Sequence, residues 1–431
     1  MTANKINGKS NKKIIYVLLD GIGDLPHPSL NNMTPLEAAS TPNLDNLARN
    51  GSMGQVISVG RGIAPQSDIA VFHMLGYDFK NKLYVGRGVV ESIGCNLDFI
   101  DGDLALRGNF ATVDDKQKII DRRAGRIILK EEAISLCDTL NQNIHFSDKD
   151  ASISIVPTVA HRVTIRLRHA KKKLSANISN TDPAYDKIDG MGIAKTTSET
   201  MVIDKSLPQD NLEESLLAAN LVNEFTQQIY PILDQHVINI KRKSNGLSPI
   251  NSILSRDAGN KFPNYQPINE KYGLNVASIV DMPVEVGISK ILNMDAIKAG
   301  NIDDYEIKGK QAAKALNDYN IVYVHIKGPD EFGHDGDAVG KKINIEEIDR
   351  RFFGSLINNI TVENPTFLIC GDHSTPCIKK SHSDDPIPLL ISGNRVKKDG
   401  STRYTETSAE RGRLGTLVGI NVLNTAINLI T

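Results

Sequence analysis

The chain has 431 residues, with 50 lysines and arginines against 51 aspartates and glutamates and a net charge of −1. That length predicts two domains, and the balanced charge excludes a general nucleic-acid binder or a cationic membrane-surface protein. Cys95, Cys137, Cys370 and Cys377 are scattered with no CxxC pair, the N-terminal segment lacks an apolar signal core, and no apolar run approaches the roughly 20 residues of a membrane helix, so a protein of a reducing, cytoplasmic compartment is expected.

Ile14-Ile15-Tyr16-Val17-Leu18-Leu19 has the length and β-branched content of a buried strand, and it ends in Asp20-Gly21-Ile22-Gly23-Asp24. Two helix starts follow. Thr34-Pro35-Leu36-Glu37 pairs a capping threonine with a first-turn proline and a glutamate three residues on, and Thr41-Pro42 repeats the beginning of that pattern. Gly60-Arg61-Gly62-Ile63-Ala64-Pro65-Gln66 predicts a loop that lifts Ser67 onto the first turn of a helix ending near Gly76. A serine there serves either as a cap or as a nucleophile, and the second use needs its hydroxyl deprotonated by a metal ion and the positive end of a helix.

From about Leu83 to about Pro263 strands alternate with polar, charged segments. Arg107-Gly108-Asn109-Phe110, Asp121-Arg122-Arg123-Ala124-Gly125-Arg126 and His161-Arg162-Val163-Thr164 place arginines in what read as short turns beside strands, either a solvated basic face or a set of forked groups for bidentate capture of phosphate and carboxylate. Lys171-Lys172-Lys173 is a plain turn. A helix is expected from Asn211 to Tyr230, and Asn251 to Gly259 closes the region. Lys271 to Val280 then reads as a strand re-entering the first domain, which makes the middle an insertion between two halves of one α/β core. No Walker A loop, dinucleotide fingerprint, low-complexity tract or internal repeat is present.

Near the C-terminus the first pattern returns twice. Ile321-Val322-Tyr323-Val324-His325-Ile326 runs into Lys327-Gly328-Pro329-Asp330-Glu331-Phe332-Gly333-His334, and Pro365-Thr366-Phe367-Leu368-Ile369-Cys370 into Gly371-Asp372-His373. His382 stands just ahead of a fourth apolar run, Ile387 to Ile391, and Thr407 to Leu423 reads as a small-residue turn and a C-terminal helix. In open α/β sheets ligands bind beyond the carboxyl ends of the strands. Three strands therefore deliver carboxylates and imidazoles to one edge, and His382 makes the set large enough for two divalent metals. Such ligands suit Mn²⁺, Zn²⁺, Co²⁺ or Fe²⁺.

LLDGIGD, PQSDIAVFHMLGYD, GRG, RGNFATVD, DRRAGRI, HIKGPDEFGHDGD, GDHSTPC and HSDDPIPLLI, in that order over nearly the whole chain, resemble the archaeal-type 2,3-bisphosphoglycerate-independent phosphoglycerate mutases of the alkaline phosphatase superfamily. The resemblance implies an alkaline-phosphatase-like, doubly wound core sheet over residues 1–82 and 264–431, with an inserted α+β substrate (lid) domain over residues 83–263. It implies that Asp20, Ser67, Asp372 and His373 surround one metal and that Asp330, His334 and His382 hold the other, Mn²⁺ foremost, with Zn²⁺, Co²⁺ or Mg²⁺ as alternatives. It assigns Arg107, Asn109, Asp121, Arg122, Arg123, His161 and Arg162 to the substrate, with Arg256 and Lys271 at the return crossing. The implied reaction interconverts 3- and 2-phosphoglycerate, in glycolysis and gluconeogenesis, through a phosphoserine at Ser67 and without 2,3-bisphosphoglycerate.

Two places depart from the family pattern: Val89-Val90-Glu91-Ser92 after GRG, and Asp257 after Arg256, where more apolar or smaller residues are expected. A phosphomutase must hold a phosphoryl group while the second hydroxyl approaches, so a covalent carrier, charge-neutralising metals, arginines and exclusion of water form a coherent set. The rivals are a metal-dependent phosphatase or phosphodiesterase on the same core, and a non-catalytic relative binding phosphoglycerate or a protein partner. Nucleic-acid binding is disfavoured because no stacking aromatics interleave the arginines. Partners beyond a small-molecule substrate, and the oligomeric state, are not specified by the sequence.

Overall fold

The apolar runs form strands buried on both faces, as a mostly parallel sheet with covered faces requires. The computed structural model describes residues 12–79, 84–188, 191–194 and 202–430, so the polar N-terminal segment and the boundary expected at 82/83 lie outside the described residues. The chain divides into one unit of Met1–Asp78, Gln266–Asp281 and Leu292–Thr431, and another of Phe79–Tyr265 and Met282–Ile291. The helix Pro283–Ile291, expected in the second half of the core, belongs to the middle unit. It packs on helix Arg87–Gly94, with Gly287 against the Val90 carbonyl and Gly94 against that of Pro283.

The first unit is an α/β core around an eight-stranded sheet. Its order is Asp295–Ile297, Val276–Ile279, Ile321–Ile326, Ile14–Leu19, Thr366–Gly371, Ile387–Ser392, Gly51–Ile57 and Thr416–Val418. The first five strands are parallel, and Ile387–Ser392 runs antiparallel to both neighbours. Strand order departs in both directions from the central Ile14–Leu19, which makes its carboxyl end the switch point at which such sheets bind ligands. Leu19 lies level with Ile326 on one side and Gly371 on the other, so Asp20, Lys327 and Asp372 leave the sheet side by side. The reversed strand brings its own beginning to that edge and His382 with it. Gly51–Ile57 ends at the same edge and feeds the loop that leads to Ser67.

Thr34 makes the expected capping box with Glu37, whereas the Thr41 hydroxyl turns to Asp45 and leaves the backbone amides of helix Pro42–Arg49 uncapped by its side chain. The strand expected over Lys271 to Val280 is shorter. Ile268–Tyr272 is a helical turn, left-handed Gly273 ends it, and the strand occupies Val276–Ile279. Likewise Thr407 to Leu423 holds a short helix, Glu406–Glu410, and the edge strand Thr416–Val418 before the final helix Val422–Leu429.

In the middle unit, strand Leu104–Val113 is flanked by Arg162–His169 and Ser252–Gly259, all antiparallel. Period-two alternation sends Leu104, Leu106, Phe110, Val163, Ile165, Leu167 and Ile253 to one face. There they bury Leu136 and Leu140 of helix Lys130–Asn143 and Val222, Phe225 and Ile229 of helix Glu213–Asp234. The latter helix continues through Pro231 past its expected end at Tyr230, because Leu233 on its last turn still reaches that core. The opposite face of the sheet carries Arg107 and Asn109.

Candidate active site

Ser67 is the first residue of helix Ser67–Met74 and Gln66 is its N-cap, so the serine is not the cap. Its Oγ lies 3.1 Å from His373 Nε2. His373 Nε2 also lies 3.5 Å from Asp20 Oδ1 and 3.3 Å from Asp372 Oδ2. Asp330 faces His382 Nε2 at 3.4 Å and His334 Nε2 at 3.6 Å. The His382 ring stacks on that of His373 with centroids 3.7 Å apart, which joins the two groups into one site.

The hydrogen bonds around the rings fix which nitrogen faces inward. Thr375 Oγ1 gives its one proton to Asp330 Oδ1 at 2.6 Å, so it accepts from His373 Nδ1 at 3.1 Å. His382 Nδ1 donates to the Pro65 carbonyl at 2.7 Å, and His334 Nδ1 to the Lys380 carbonyl at 3.2 Å. All three Nε2 atoms thus face carboxylates, the outer-shell arrangement that orients histidine for a metal. The ligand atoms of Asp20, Asp372 and His373, and those of Asp330, His334 and His382, lie within 4.8 Å of one another in each group. Asp20 Oδ1 and Asp372 Oδ2 are buried and accept no hydrogen bond among the described residues. A divalent cation is the group that would satisfy them, so the residues fit the metals that the sequence implies.

Electrostatics agree. Burial pushes the Asp20 carboxyl up to about 7, against the lowering pull of Lys327, whose Nζ donates to Asp20 Oδ2 at 2.9 Å. Burial holds His373 down at about 3, which keeps its ring neutral. For Asp330 burial is outweighed by its imidazole neighbours, and the group lies well below the usual carboxylate range. Gly21 (φ +62°) lets the loop pass so close to Asp330 and Thr375 that a Cβ would sit 2.8 Å from Asp330 Cα.

Two parts of this site escaped the sequence reading. Lys327 and His325, the latter with Nε2 3.4 Å from Asp372 Oδ2, were visible only as part of a strand and its turn. Asp24 is not a ligand. It accepts from Lys341 Nζ at 2.8 Å in a fully buried ion pair, and the same ammonium holds the Gly23 and Thr375 carbonyls, tying two ligand loops together. A third acidic group in the middle unit, Asp148, Asp150 and His169, is satisfied internally. His169 Nδ1 accepts from two backbone amides, its Nε2 faces Asp148 at 3.1 Å, and Lys171 pairs with Asp150 at 2.7 Å.

In the middle unit Arg107 and Arg162 stand in strands, not in the turns expected from the sequence, and Arg256 stands in the strand Ser252–Gly259. Asn109 pairs in register with Arg162, and Arg107 with Arg256, so all four share one face. With its amide oxygen turned to Arg256, Asn109 accepts from Nη1 at 3.1 Å. Arg122 and Arg123 lie in the turn after Ile119–Asp121. Asp121 builds that turn by accepting from the Arg123 and Gly125 amides at 2.7 and 2.9 Å. Arg122 grips both oxygens of Asp182 at 2.8 and 2.7 Å, Arg256 shares Asp182 at 2.8 Å, and both guanidiniums lie over the Tyr185 ring. Burial, then Arg162 and its neighbours, lower His161 to about 3. Lys271 is in the core unit, donating to the Gly76 carbonyl at 2.7 Å just past the end of the Ser67 helix and lying over Tyr77.

The two departures from the family pattern acquire a physical account. Glu91 accepts from Arg87 at 2.9 Å and lies 3.6 Å from Arg107 Nε. Gly88 lets their helix sit against the sheet, where a Cβ would be 2.8 Å from the Ala105 and Asp257 carbonyl oxygens. Asp257 lies 3.5 Å from Arg256 Nε and 4.0 Å from Arg107 Nη1. Both acids are counter-charges to buried arginines.

A family model described as 2,3-bisphosphoglycerate-independent phosphoglycerate mutase matches residues 48–239. Proteins of that description from Aeropyrum pernix and Methanopyrus kandleri are 40% and 35% identical to this chain, over 94% and 96% of it and 96% and 95% of their own lengths. Among solved structures, a protein of Pyrococcus horikoshii matches with a TM-score of 0.78 at 28% identity, over 97% of each chain. The cofactor-independent phosphoglycerate mutase of Thermoplasma acidophilum matches with 0.62 at 29%, over 97% of this chain and 100% of that one. At such identity over nearly its whole length, the chain belongs to the 2,3-bisphosphoglycerate-independent phosphoglycerate mutase family and is an isomerase.

Proposed function

We propose that this chain interconverts 3- and 2-phosphoglycerate by passing the phosphoryl group through Ser67. The observation that carries the reading is the place of Ser67 Oγ: at a helix N-terminus, 3.1 Å from His373 Nε2, where the two ligand groups meet. Ser67 Oγ gives up its proton and attacks phosphorus, the bond to the glycerate oxygen breaks, and that oxygen takes a proton in turn. The other glycerate hydroxyl then attacks the phosphoserine, loses its proton and restores Ser67.

Asp20, Asp372 and His373, with Ser67, would hold one divalent cation, and Asp330, His334 and His382 the second. When bound, these ions supply charge neutralisation at the phosphoryl oxygens and lower the pKa of the attacking hydroxyl. Three imidazoles among the ligands favour Mn²⁺, Zn²⁺ or Co²⁺ over the all-oxygen preference of Mg²⁺. Lys327 keeps Asp20 turned so that its Oδ1 faces inward, and Thr375 orients His373 and Asp330 together. Arg107, Arg122, Arg123, Arg162 and Arg256, with Asn109 and His161, bind the anionic substrate, and Lys271 of the core unit is likewise assigned to it. Asp121 contributes by shaping the turn of Arg122 and Arg123. The reaction belongs to glycolysis and gluconeogenesis, and a cytoplasmic location suits it. Among the described residues, no helix is long and apolar enough to cross a membrane.

The test is a coupled assay from 3-phosphoglycerate with 2,3-bisphosphoglycerate withheld, paired with mass spectrometry of quenched enzyme. Isomerisation with one phosphoryl group on the peptide containing Ser67 is expected. Isomerisation with the phosphoryl group elsewhere, or none without added bisphosphate, would overturn the assignment.

A further inference from the structure

The turn that leaves strand Ile321–Ile326 reaches both ligand groups. Lys327 Nζ donates to Asp20 Oδ2 at 2.9 Å in the first group. Three residues on, Asp330 enters the second group, and His334 follows it one turn later on the helix Pro329–Asp335. Between Lys327 and Asp330 stands Gly328, the N-cap of that helix. The direction of one peptide therefore decides where an ammonium and two ligands go.

That peptide follows an unusual path and is held from outside the turn. Gly328 has φ 135° and ψ −63°, a backbone conformation that L residues rarely adopt. The Lys327 carbonyl, on its amino side, accepts from Tyr305 Oη at 2.8 Å. Tyr305 lies on helix Tyr305–Ala315, and its Oη accepts from Asn344 Nδ2, on helix Ala338–Glu347, at 3.1 Å. A phenol has one proton to give, and the bond from Asn344 leaves it aimed at the carbonyl. The fit is close: a Cβ on Gly328 would collide with Asn344 Oδ1 and lie 2.6 Å from Tyr305 Oη.

The pair is costly for the fold alone. Tyr305 is 4% exposed, and Asn344 Oδ1 is buried and accepts no hydrogen bond among the described residues. An orphaned amide oxygen is destabilising, and an apolar residue of the same shape would remove the cost. What Asn344 contributes is its Nδ2, and that donor goes to Tyr305.

We propose that Tyr305 and Asn344 are positioning residues for both ligand groups. They hold the Lys327–Gly328 peptide in the direction that brings Lys327 to Asp20 and Asp330 to its histidines, so that affinity for two cations depends on one hydroxyl outside either group. The inference rests on reading the two groups as cation sites.

The test is Mn²⁺ binding by calorimetry to metal-free, full-length protein, for the unaltered chain, Tyr305→Phe and Asn344→Leu. The first variant keeps the ring and loses one hydroxyl. The second keeps the volume and lies on another helix, so it stands in if circular dichroism shows the first misfolded. Tyr319→Phe is the control: it deletes a hydroxyl bonded to Asp295 at 2.9 Å, at the opposite end of the same strand. Each folded variant should bind both ions about tenfold or more weakly, the loss usual for an outer-shell partner. The control should keep the affinities of the unaltered chain, which a role in stability alone would also predict for Tyr305→Phe. Unchanged affinities in a folded variant, a loss confined to one ion, or an equal loss in the control would overturn the inference alone. Failure of the unaltered protein to bind two Mn²⁺ ions would instead overturn the reading beneath it.

Discussion

The two units solve opposite electrostatic problems. In the core unit, carboxylates and imidazoles converge with buried carboxylate oxygens that accept no hydrogen bond among the described residues, a nest that suits cations. In the middle unit, Arg107, Arg162 and Arg256 gather on one face of an antiparallel sheet, an array that suits an anion. The means of placement differ as well. Register between parallel strands sets Asp20, Lys327 and Asp372 side by side at one sheet edge. Alternation along antiparallel strands gathers Arg107, Asn109, Arg162 and Arg256 from positions far apart in the chain. A metal site needs ligand atoms fixed within tenths of an ångström, which an edge of buried parallel strands provides. An anion site tolerates a looser array.

If the core nest exists for cations, removing them has the largest effect. Chelation followed by desalting should lower kcat by more than about a thousandfold, with recovery on adding Mn²⁺. Full turnover in excess chelator, with metal content checked by mass spectrometry, would remove the contrast. Next comes Ser67→Ala. Losing one hydroxyl at a helix start should leave the circular dichroism spectrum unchanged and cut mutase activity by about a thousandfold or more, if the serine carries the phosphoryl group.

The buried Asp24–Lys341 pair sharpens the comparison from the stability side, because it ties core ligand loops that have no counterpart in the middle unit. Lys341→Met leaves Asp24 buried and uncompensated, and should cost about 3–5 kcal/mol in chemical denaturation. A cost below about 1 kcal/mol would show the pair to be incidental.

Smaller still is the expected behaviour of His161. Its pKa of about 3 lies below the ordinary 6.5, through burial and then the surrounding arginines. The folded form therefore binds fewer protons than the unfolded one. The stability His161 contributes is fully present above pH 6.5 and is lost as pH falls from there toward about 3. Its ring resonances should not titrate between about pH 5 and 8 by NMR, a range within which an ordinary histidine changes charge. A midpoint near 6.5 would mean that the ring is neither buried nor faced by the arginines.

How much was legible in the sequence follows from the same contrast. The core ligands could be found because each stands one to a few residues past an apolar run: the chain writes strand, glycine and ligand consecutively. Ser67 could be placed on a helix start for the same local reason. The middle site is distributed. Arg107 and Arg162 were noticed as residues but assigned to turns, and counting by twos along RGNFATVD would have put Arg107 and Asn109 on one face. Asp182 and Tyr185 carried no local signal. Lys341, an isolated lysine on a helix, could be tied to Asp24 only by tertiary packing. Asp257 stood out as a misfit, and the shift in register beside it, between Ala105↔Gly259 and Arg107↔Arg256, is a property of strand pairing.

The central claim is that the core transfers phosphoryl groups and the arginines make that transfer a mutation rather than a hydrolysis. It is tested most directly by following 2-phosphoglycerate and inorganic phosphate together, in one time course from 3-phosphoglycerate, for the unaltered enzyme, Arg122→Ala and Arg162→Ala. Each arginine lost removes charge-assisted hydrogen bonds worth about 1.5–3 kcal/mol, so isomerisation should fall by about 10- to 150-fold. The ratio of phosphate to 2-phosphoglycerate should rise as phosphoserine is lost to water. Phosphate as the main product of the unaltered enzyme, or an unchanged ratio and rate in both variants, would contradict the account.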